Sequence, residues 1–333
     1  MLNAEAKLKT DLFDENKIER LATRDGFGRG LVLAGEENSN VVVLSADVSS
    51  STRCHLFAEK FPERFFQVGI SEQNLAGVAA GLAMSGKIPF IAAYAVFSPG
   101  RNWEQIRTMI TYNDANVKIA GHHAGLLTGY DGATHQTLED VALMRVLPNM
   151  KVIVAADALE AEKAVVSAIK ISGPVYLRLA REKTSVFTTE STPFIPGKAE
   201  VFWESKKPQV LIISCGPILY NALLAADELE KEKIGTIVLN NHTIKPLDEN
   251  KIIELAKKCG AVVSVEEHNV FGGLGSAVSE LLAKHNPLPM EFVGAQDTFG
   301  ESGEPFALIE KYGLGVKDIG ESVKKVIKRK NKF

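Results

Sequence analysis

The sequence predicts an α/β protein made of two doubly wound, mainly parallel-sheet domains. Three observations predict it. Apolar runs of strand length alternate with helix-period segments along the chain. Those runs are apolar at successive positions, which marks strands buried on both faces, as in a parallel sheet. The rhythm then breaks once, over 188–207, where Pro193, Pro196 and Gly197 gather among polar residues just before Pro208. A chain of 333 residues is long for one domain and comfortable for two. The expected division is an N-terminal extension over 1–17, a first domain over 18–187, a linker over 188–207 and a second domain over 208–333.

Taken in order, residues 18–35 read as a helix, with Arg24 and Asp25 near its start and Ala34 and Gly35 near its end. Asn40 to Asp47 reads as a strand with Asp47 at its carboxyl end, the edge where open α/β sheets collect ligands. Ser49-Ser50-Ser51-Thr52-Arg53 follows, a hydroxyl-rich run ending in an arginine that suits phosphate as well as it suits a loop and N-cap. Strands at 65–68, 88–94, 117–120, 151–155 and 175–179 alternate with helices at 72–85, 103–113, 137–146 and 158–171, which makes six strands in the first domain. Beyond the linker, strands at 210–213, 236–239, 261–265 and 289–293 alternate with helices near 219–232, 248–258 and 276–284. The turn Phe271-Gly272-Gly273-Leu274-Gly275-Ser276 opens the last of these helices. A glycine turn at a helix start can cradle phosphate. This one completes neither a Walker loop nor a dinucleotide fingerprint, and a tight structural turn is the preferred reading.

Composition excludes several classes. With 45% hydrophobic and 24% charged residues, a net charge of −3 and mean hydropathy of +0.01, the chain reads as an ordinary soluble globular protein. The basic run from Lys324 to Lys332 reads as a solvated tail and not as a nucleic-acid patch. No apolar run approaches the roughly 18 residues of a membrane span, and Met1 to Asn16 lacks the apolar core of a signal peptide. Cys54, Cys215 and Cys259 lie far apart with no C-x-x-C pair, so neither a disulfide framework nor a zinc site is expected. A reducing cytoplasm fits.

The chemistry gathers in the first domain. Over 65–74 a short apolar strand stops at Gly69 and hands one carboxylate, Glu72, to a helix start. Leu75, Val78, Ala79, Leu82 and Ala83 then recur with helical period, while Gly77, Ala80 and Gly81 make the helix thin. A thin helix lets another backbone approach and places Glu72 at the mouth of a tight, dry interface. Taken alone, Glu72 would merely answer the positive end of the helix dipole. It is not alone, because the glycine-punctuated loop 121–136 carries His122, His123 and His135, three of the seven histidines.

The ordered set of Gly69-Ile70-Ser71-Glu72-Gln73-Asn74, Tyr94-Ala95-Val96-Phe97 and Tyr130-Asp131-Gly132-Ala133-Thr134-His135-Gln136 resembles the pyrimidine-binding half of the transketolase family of thiamine diphosphate enzymes. The resemblance runs from about residue 20 to the C-terminal helix and covers the second half of a conventional transketolase. It implies a pyrimidine-binding fold followed by a transketolase C-terminal domain, whose similar glycine turn holds no cofactor. In the family, a glutamate matching Glu72 drives the aminopyrimidine to the tautomer that can take a proton from the thiazolium carbon. Phe97 matches the residue stacked on that ring, with Tyr94 nearby, although two close aromatics also suit a plain core. Asp47 falls where the family has an aspartate near the cofactor.

The resemblance further implies that His123 and His135 handle protons of the sugar, and that Asp131 holds a donor hydroxyl. Arg181 would bind the sugar phosphate, with Arg24 and Ser51 as looser matches. Arg178, in the same Arg178-Leu179-Ala180-Arg181 segment, offers a second guanidinium at the ligand edge. His122 has no assigned role, and it could equally orient His123. The segment Phe97-Ser98-Pro99-Gly100-Arg101-Asn102-Trp103 departs from the single-chain pattern and leaves Arg101 open.

These residues also lack the Gly-Asp-Gly with a distant asparagine that holds magnesium and diphosphate in the family. The implied function is therefore that of the C-terminal subunit of a split transketolase of pentose phosphate metabolism, moving a two-carbon ketol unit between sugar phosphates. Its metal ligands would lie on a separate N-terminal subunit, with two copies of each chain in a heterotetramer. Alternatives are the β-subunit of a 2-oxoacid dehydrogenase first component, half of a deoxyxylulose-phosphate synthase, and a non-catalytic assembly partner.

Overall fold

A computed structural model describes residues 1–14 and 16–331. The first domain runs β1 (Arg20–Ala22), α1 (Thr23–Glu37), β2 (Val41–Ser45), α2 (His55–Lys60), β3 (Phe65–Gln67), α3 (Glu72–Met84) and β4 (Ile88–Tyr94). It continues through α4 (Trp103–Gln105), which passes into a π-helical stretch at Ile106–Thr111, then β5 (Lys118–His122), α5 (Asp140–Arg145), β6 (Lys151–Val154), α6 (Ala158–Ala168), β7 (Val175–Arg178) and β8 (Lys183–Ser185). The second domain comprises β9 (Glu200–Glu204), β10 (Val210–Ser214), α7 (Leu219–Lys231), β11 (Thr236–Asn240), β12 (Thr243–Lys245), α8 (Glu249–Cys259) and β13 (Val262–Asn269). It ends with α9 (Leu274–His285), β14 (Met290–Ala295), α10 (Pro305–Lys311) and α11 (Val316–Lys330).

The predicted α/β class with two mainly parallel sheets is what the chain forms. The first sheet has the order β12-β6-β7-β5-β4-β2-β3 and the second β14-β13-β10-β11-β9. The continuous apolar runs bury both faces, as expected of such strands. Val41 and Val43 face Phe27, Leu31, Ala161 and Val165 on one side. Val42, Leu44, Ile91 and Ile119 on the other share a single apolar layer with Leu211, Ile213 and Ile237 of the second sheet.

Several expectations need correction. Residues 18–35 are not one helix: β1 pairs antiparallel with β8, and α1 begins only at Thr23. Asp25 Oδ2 accepts from Ala22 N at 3.2 Å and Thr23 Oγ1 accepts from Ala180 N at 2.7 Å, which fixes the start. Residues 188–207 are not irregular throughout, since β9 lies there and pairs antiparallel with β11. The first sheet also gains an unforeseen antiparallel strand, β12, supplied by the second domain and paired with β6. The basic run is no solvated tail over its described part. It forms the end of α11, where Lys324 pairs with Glu232 and both Lys325 and Arg329 pair with Glu291; Lys332 lies outside the described residues.

The N-terminal residues lie against the second domain. Asn3 N donates to Phe202 O at 2.9 Å, Leu8 and Leu12 join its core, and Tyr220 Oη donates to Leu12 O at 2.7 Å. No described helix is long and apolar enough to cross a membrane.

Candidate active site

Parallel strands present their carboxyl ends along one edge, and β2, β3, β4, β5 and β7 each deliver a chemically active side chain there. Just past β2, Asp47 turns the chain with φ +62° and donates its N–H to Gln67 Oε1 at 3.1 Å. After β3 the chain turns at Gly69, where φ is +74°, a left-handed conformation that favours glycine. Glu72 follows as the first residue of α3.

Glu72 is 4% exposed and its Oε2 has no hydrogen-bond partner. A buried carboxylate oxygen without a partner is costly, and it marks a place where a donor belongs. Its nearest cation is Arg101, with Nε at 3.9 Å, and Arg101 also lies over the Phe97 ring at 5.7 Å. Asn102, fully buried, donates to Glu72 O at 3.0 Å and to Ser98 Oγ at 3.1 Å, so the segment after β4 fixes the start of α3. A cavity of about 200 Å³ opens beside Glu72, lined by Asp47, Tyr94, Phe97 and Arg101. An orphaned carboxylate, an aromatic wall and a small cavity fit a flat nitrogen heterocycle. Among the described residues, no three of His, Cys, Asp or Glu converge in a way that could hold a metal ion.

The aromatic wall continues into the histidines. The β4–β5 register sets Tyr94 opposite His122. Tyr94 stacks on the neighbouring His123 at 4.1 Å between ring centroids, and His135 stands edge-on to Phe97 at 5.6 Å. His123, with φ +53°, is 3% exposed, and its Nε2 lies 3.2 Å from Arg24 Nη1. Burial first, then the Arg24 and Arg181 charges, push its pKa down to about 3, so the ring is neutral at physiological pH. A guanidinium has no lone pair to accept with; Nε2 is therefore the acceptor and the ring proton sits on Nδ1. His135 is half-buried, with Nδ1 2.9 Å from Thr134 Oγ1.

A second cavity of about 200 Å³ lies at the same edge, lined by Arg24, Arg53, Arg181, Lys183 and the carboxylates of Asp25 and Glu182. Arg181 Nη1 pairs with Asp131 at 3.0 Å and donates to Thr128 O at 2.9 Å. Arg53 pairs with Asp25 at 2.6 Å. Burial, together with the nearby Arg53 and Arg181, lowers the Arg24 pKa, and the carboxylates only partly balance these charges. Convergent guanidiniums of this kind hold a phosphate or another tetrahedral oxyanion.

The structure thus brings Glu72, Tyr94, Phe97 and Asp47 to one cavity, Arg24 and Arg181 to the next, and His123, His135 and Asp131 to the ground around them. Ser51 takes part through its main-chain oxygen, which accepts from Arg24 at 3.0 Å. The arginine of the 49–53 run faces the cavity, whereas Thr52 Oγ1 donates to Val48 O at 2.8 Å.

Arg178 is a correction. It is not at the ligand edge but buried, with Nε at 2.9 Å from Asp140 Oδ2, because β7 ends inside the domain contact. His122 is wholly buried edge-on against Phe27 at 4.7 Å, with neither ring nitrogen hydrogen-bonded, so it does not orient His123 by a hydrogen bond. The Gly272–Ser276 turn binds its own carboxylate: Glu266 accepts from Leu274 N at 2.7 Å and from Gly275 N at 2.8 Å, which occupies the start of α9. Asn102 was missed by sequence reasoning. Its only signal was its place in the divergent 97–103 segment.

Comparison with known proteins identifies the family and the fold. The family model described as transketolase, pyrimidine binding domain, matches residues 19–186, and that described as transketolase, C-terminal domain, matches 197–319. A putative transketolase C-terminal section of Methanocaldococcus jannaschii is 40% identical, over 92% of this chain and 96% of its own length. A 6-deoxy-6-sulfo-D-fructose transketolase subunit of a Clostridium species is 38% identical, over 95% of this chain and 98% of its own. A solved structure described as a split gene transketolase, inactive β4 tetramer, superposes with a TM-score of 0.87 at 48% identity, covering 93% of this chain and 99% of that one. The chain spans about half the length of the mammalian transketolases it matches.

Proposed function

The chain belongs to the transketolase family, as a C-terminal section of the split kind, and we propose that it transfers a two-carbon ketol unit between sugar phosphates together with a separate diphosphate-binding N-terminal subunit. The observation that carries this reading is the buried Glu72 carboxylate, with no hydrogen bond to its Oε2, beside an aromatic-walled cavity one step along the sheet edge from a cavity of guanidiniums. The family depends on thiamine diphosphate, which supplies the electron sink for breaking a carbon–carbon bond next to a carbonyl.

On this reading Glu72 holds the pyrimidine's far ring nitrogen, Phe97 and Tyr94 wall the ring, and Asp47 closes the cavity near it. His135, half-buried and hydrogen-bonded to Thr134, takes or returns a proton at a donor hydroxyl. His123, kept neutral, accepts from Arg24 through Nε2 and so holds that guanidinium in place instead of acting as a base. Asp131 holds a donor hydroxyl, and Arg24 and Arg181 bind the terminal oxyanion with Arg53 and with Ser51 supporting Arg24. Such a pocket suits phosphate, and it equally suits the sulfonate that the Clostridium relative's description implies. A 2-oxoacid substrate has no use for it.

Magnesium and the diphosphate would be held by the partner subunit. The face that receives the partner is α3 with the turn before it and the π-helical stretch beside it: Ile70 (79% exposed), Val78, Met84, Met109 and Tyr112 are open there, and a Cβ added at Gly81 would meet nothing within 4 Å. The two glycines of α3 are thus not used for close packing within this chain, whereas Ala80 is buried in its core. Two copies of each chain and a cytoplasmic setting complete the proposal, the latter supported by three buried free cysteines. The test is reconstitution with a diphosphate-binding subunit and assay with ketose and aldose phosphates. Ketol transfer by the mixture is expected; decarboxylation of a 2-oxoacid in its place would overturn the reading.

A further inference from the structure

The loop that bears His123, Asp131 and His135 is held from outside its own domain. At the end of β13, Glu266, Glu267 and His268 are three consecutive buried residues with three tasks. Glu266 caps α9, and His268 Nε2 accepts from Ala142 N of α5 at 3.4 Å. Glu267 crosses to the first domain, where its Oε1 accepts from Leu127 N at 2.7 Å.

The next residue along the loop, Thr128, donates through Oγ1 to His123 O at 2.5 Å and accepts through its carbonyl from Arg181 at 2.9 Å. Gly125, at φ +85°, lies so close that a Cβ there would overlap the Glu267 carboxylate, so the turn is shaped around that side chain. Arg178 Nη2 fixes the strand end by donating to Glu267 O at 2.8 Å and to Thr137 O at 3.3 Å. At the far end of the loop, Gln136 donates to Glu301 O at 2.9 Å and Ser302 donates to Tyr130 O at 2.6 Å.

We propose that Glu267 of the C-terminal domain is a positioning residue, which places His123 and Arg181 through Leu127 and Thr128. The inference rests on the ketol-transfer reading for its catalytic consequence, but not for its structural one. Burial pushes Glu267 up to about 7, and Oε1 can accept from Leu127 in either protonation state, so the hold persists across neutral pH.

The test compares wild type with Glu267→Gln, which keeps an acceptor at the same place, and Glu267→Ala, which removes it. In the full chain, amide exchange at Leu127 and Thr128 should accelerate about tenfold or more in the alanine variant and stay near wild type in the glutamine variant. In the reconstituted complex, the alanine variant should lose about tenfold or more in kcat, with thiamine diphosphate affinity within about twofold, and glutamine should restore kcat to within about threefold. Unchanged exchange in the alanine variant, or equal losses of kcat and cofactor affinity, would overturn the proposal. If Glu267→Ala does not fold, Gly125→Ala displaces the same contact and decides on the same readouts. A wild-type complex that transfers no ketol would sink the functional reading while the exchange result still judged Glu267.

Discussion

Glu72 is held by its neighbours and left open at its tip. Asn102 grips its carbonyl, yet Oε2 lies beside the cavity with no hydrogen bond. Glu72→Gln keeps size and fold while removing the acid, so ketol transfer in the complex should fall at least about a hundredfold. A fully active variant would end the assignment. Arg181 and His135 separate binding from chemistry. Arg181→Ala should chiefly raise KM for phosphorylated sugars, whereas His135→Ala should mainly lower kcat. Unchanged parameters in both would mean that the substrate pocket is elsewhere. Sequence reasoning reached Glu72, Tyr94 and Phe97 through the ordered motifs of the family resemblance, since taken alone they suit a helix dipole and a plain core, whereas Asp47 was also marked by its place at a strand's carboxyl end. It could not reach Glu267, which lies some 140 residues from Leu127 in the chain and meets it only through the domain contact. Arg178 was misplaced for the same reason: nothing local says that an arginine at a strand end will be covered by another domain.

At the level of elements, long apolar runs and capped helices were legible, and the short strands β1, β8 and β12 were not. β1, β8 and β12 have three residues each, too few to show a period, and their pairing depends on distant partners. α3 is the element whose sequence says most about what lies beyond the chain. Glycine inside a helix costs about 1 kcal/mol relative to alanine, and neither Gly77 nor Gly81 recovers that cost through close packing here. Gly81→Trp should therefore leave the thermal stability of the isolated chain nearly unchanged while preventing assembly with the N-terminal subunit, as read by sedimentation. Normal assembly of that variant would remove α3 from the partner face.

At the scale of the whole molecule, three imidazoles are sealed in neutral form. His123 and His242 are pushed down to about 3, chiefly by burial, and His122 well below its ordinary value of 6.5 for the same reason. Unfolded chains would protonate all three near 6.5, so protons favour unfolding and stability falls as the pH drops from about 6.5 toward 3. Glu160 and Glu267, raised to about 8 and 7 by burial, hold a proton in the folded state above the ordinary 4.5 and oppose that trend down to about pH 4.5. Below it they are protonated in both states, and each histidine should then cost roughly 1.4 kcal/mol per pH unit. Urea midpoints should drop most sharply between about pH 4.5 and 3; a flat profile there would show that the folded chain admits these protons. Cofactor binding tests the assembly as a whole. This chain offers Glu72 and an aromatic wall for one ring, but its sequence has no Gly-Asp-Gly motif for the metal and diphosphate. A single small cavity gives little net affinity, because most of the charge on thiamine diphosphate would stay uncompensated. Calorimetric titration with magnesium should therefore show weak binding to the chain alone and tight binding to the mixed complex. Tight magnesium-dependent binding by the chain alone would require a diphosphate site within these residues, and would overturn the division of labour between the two subunits.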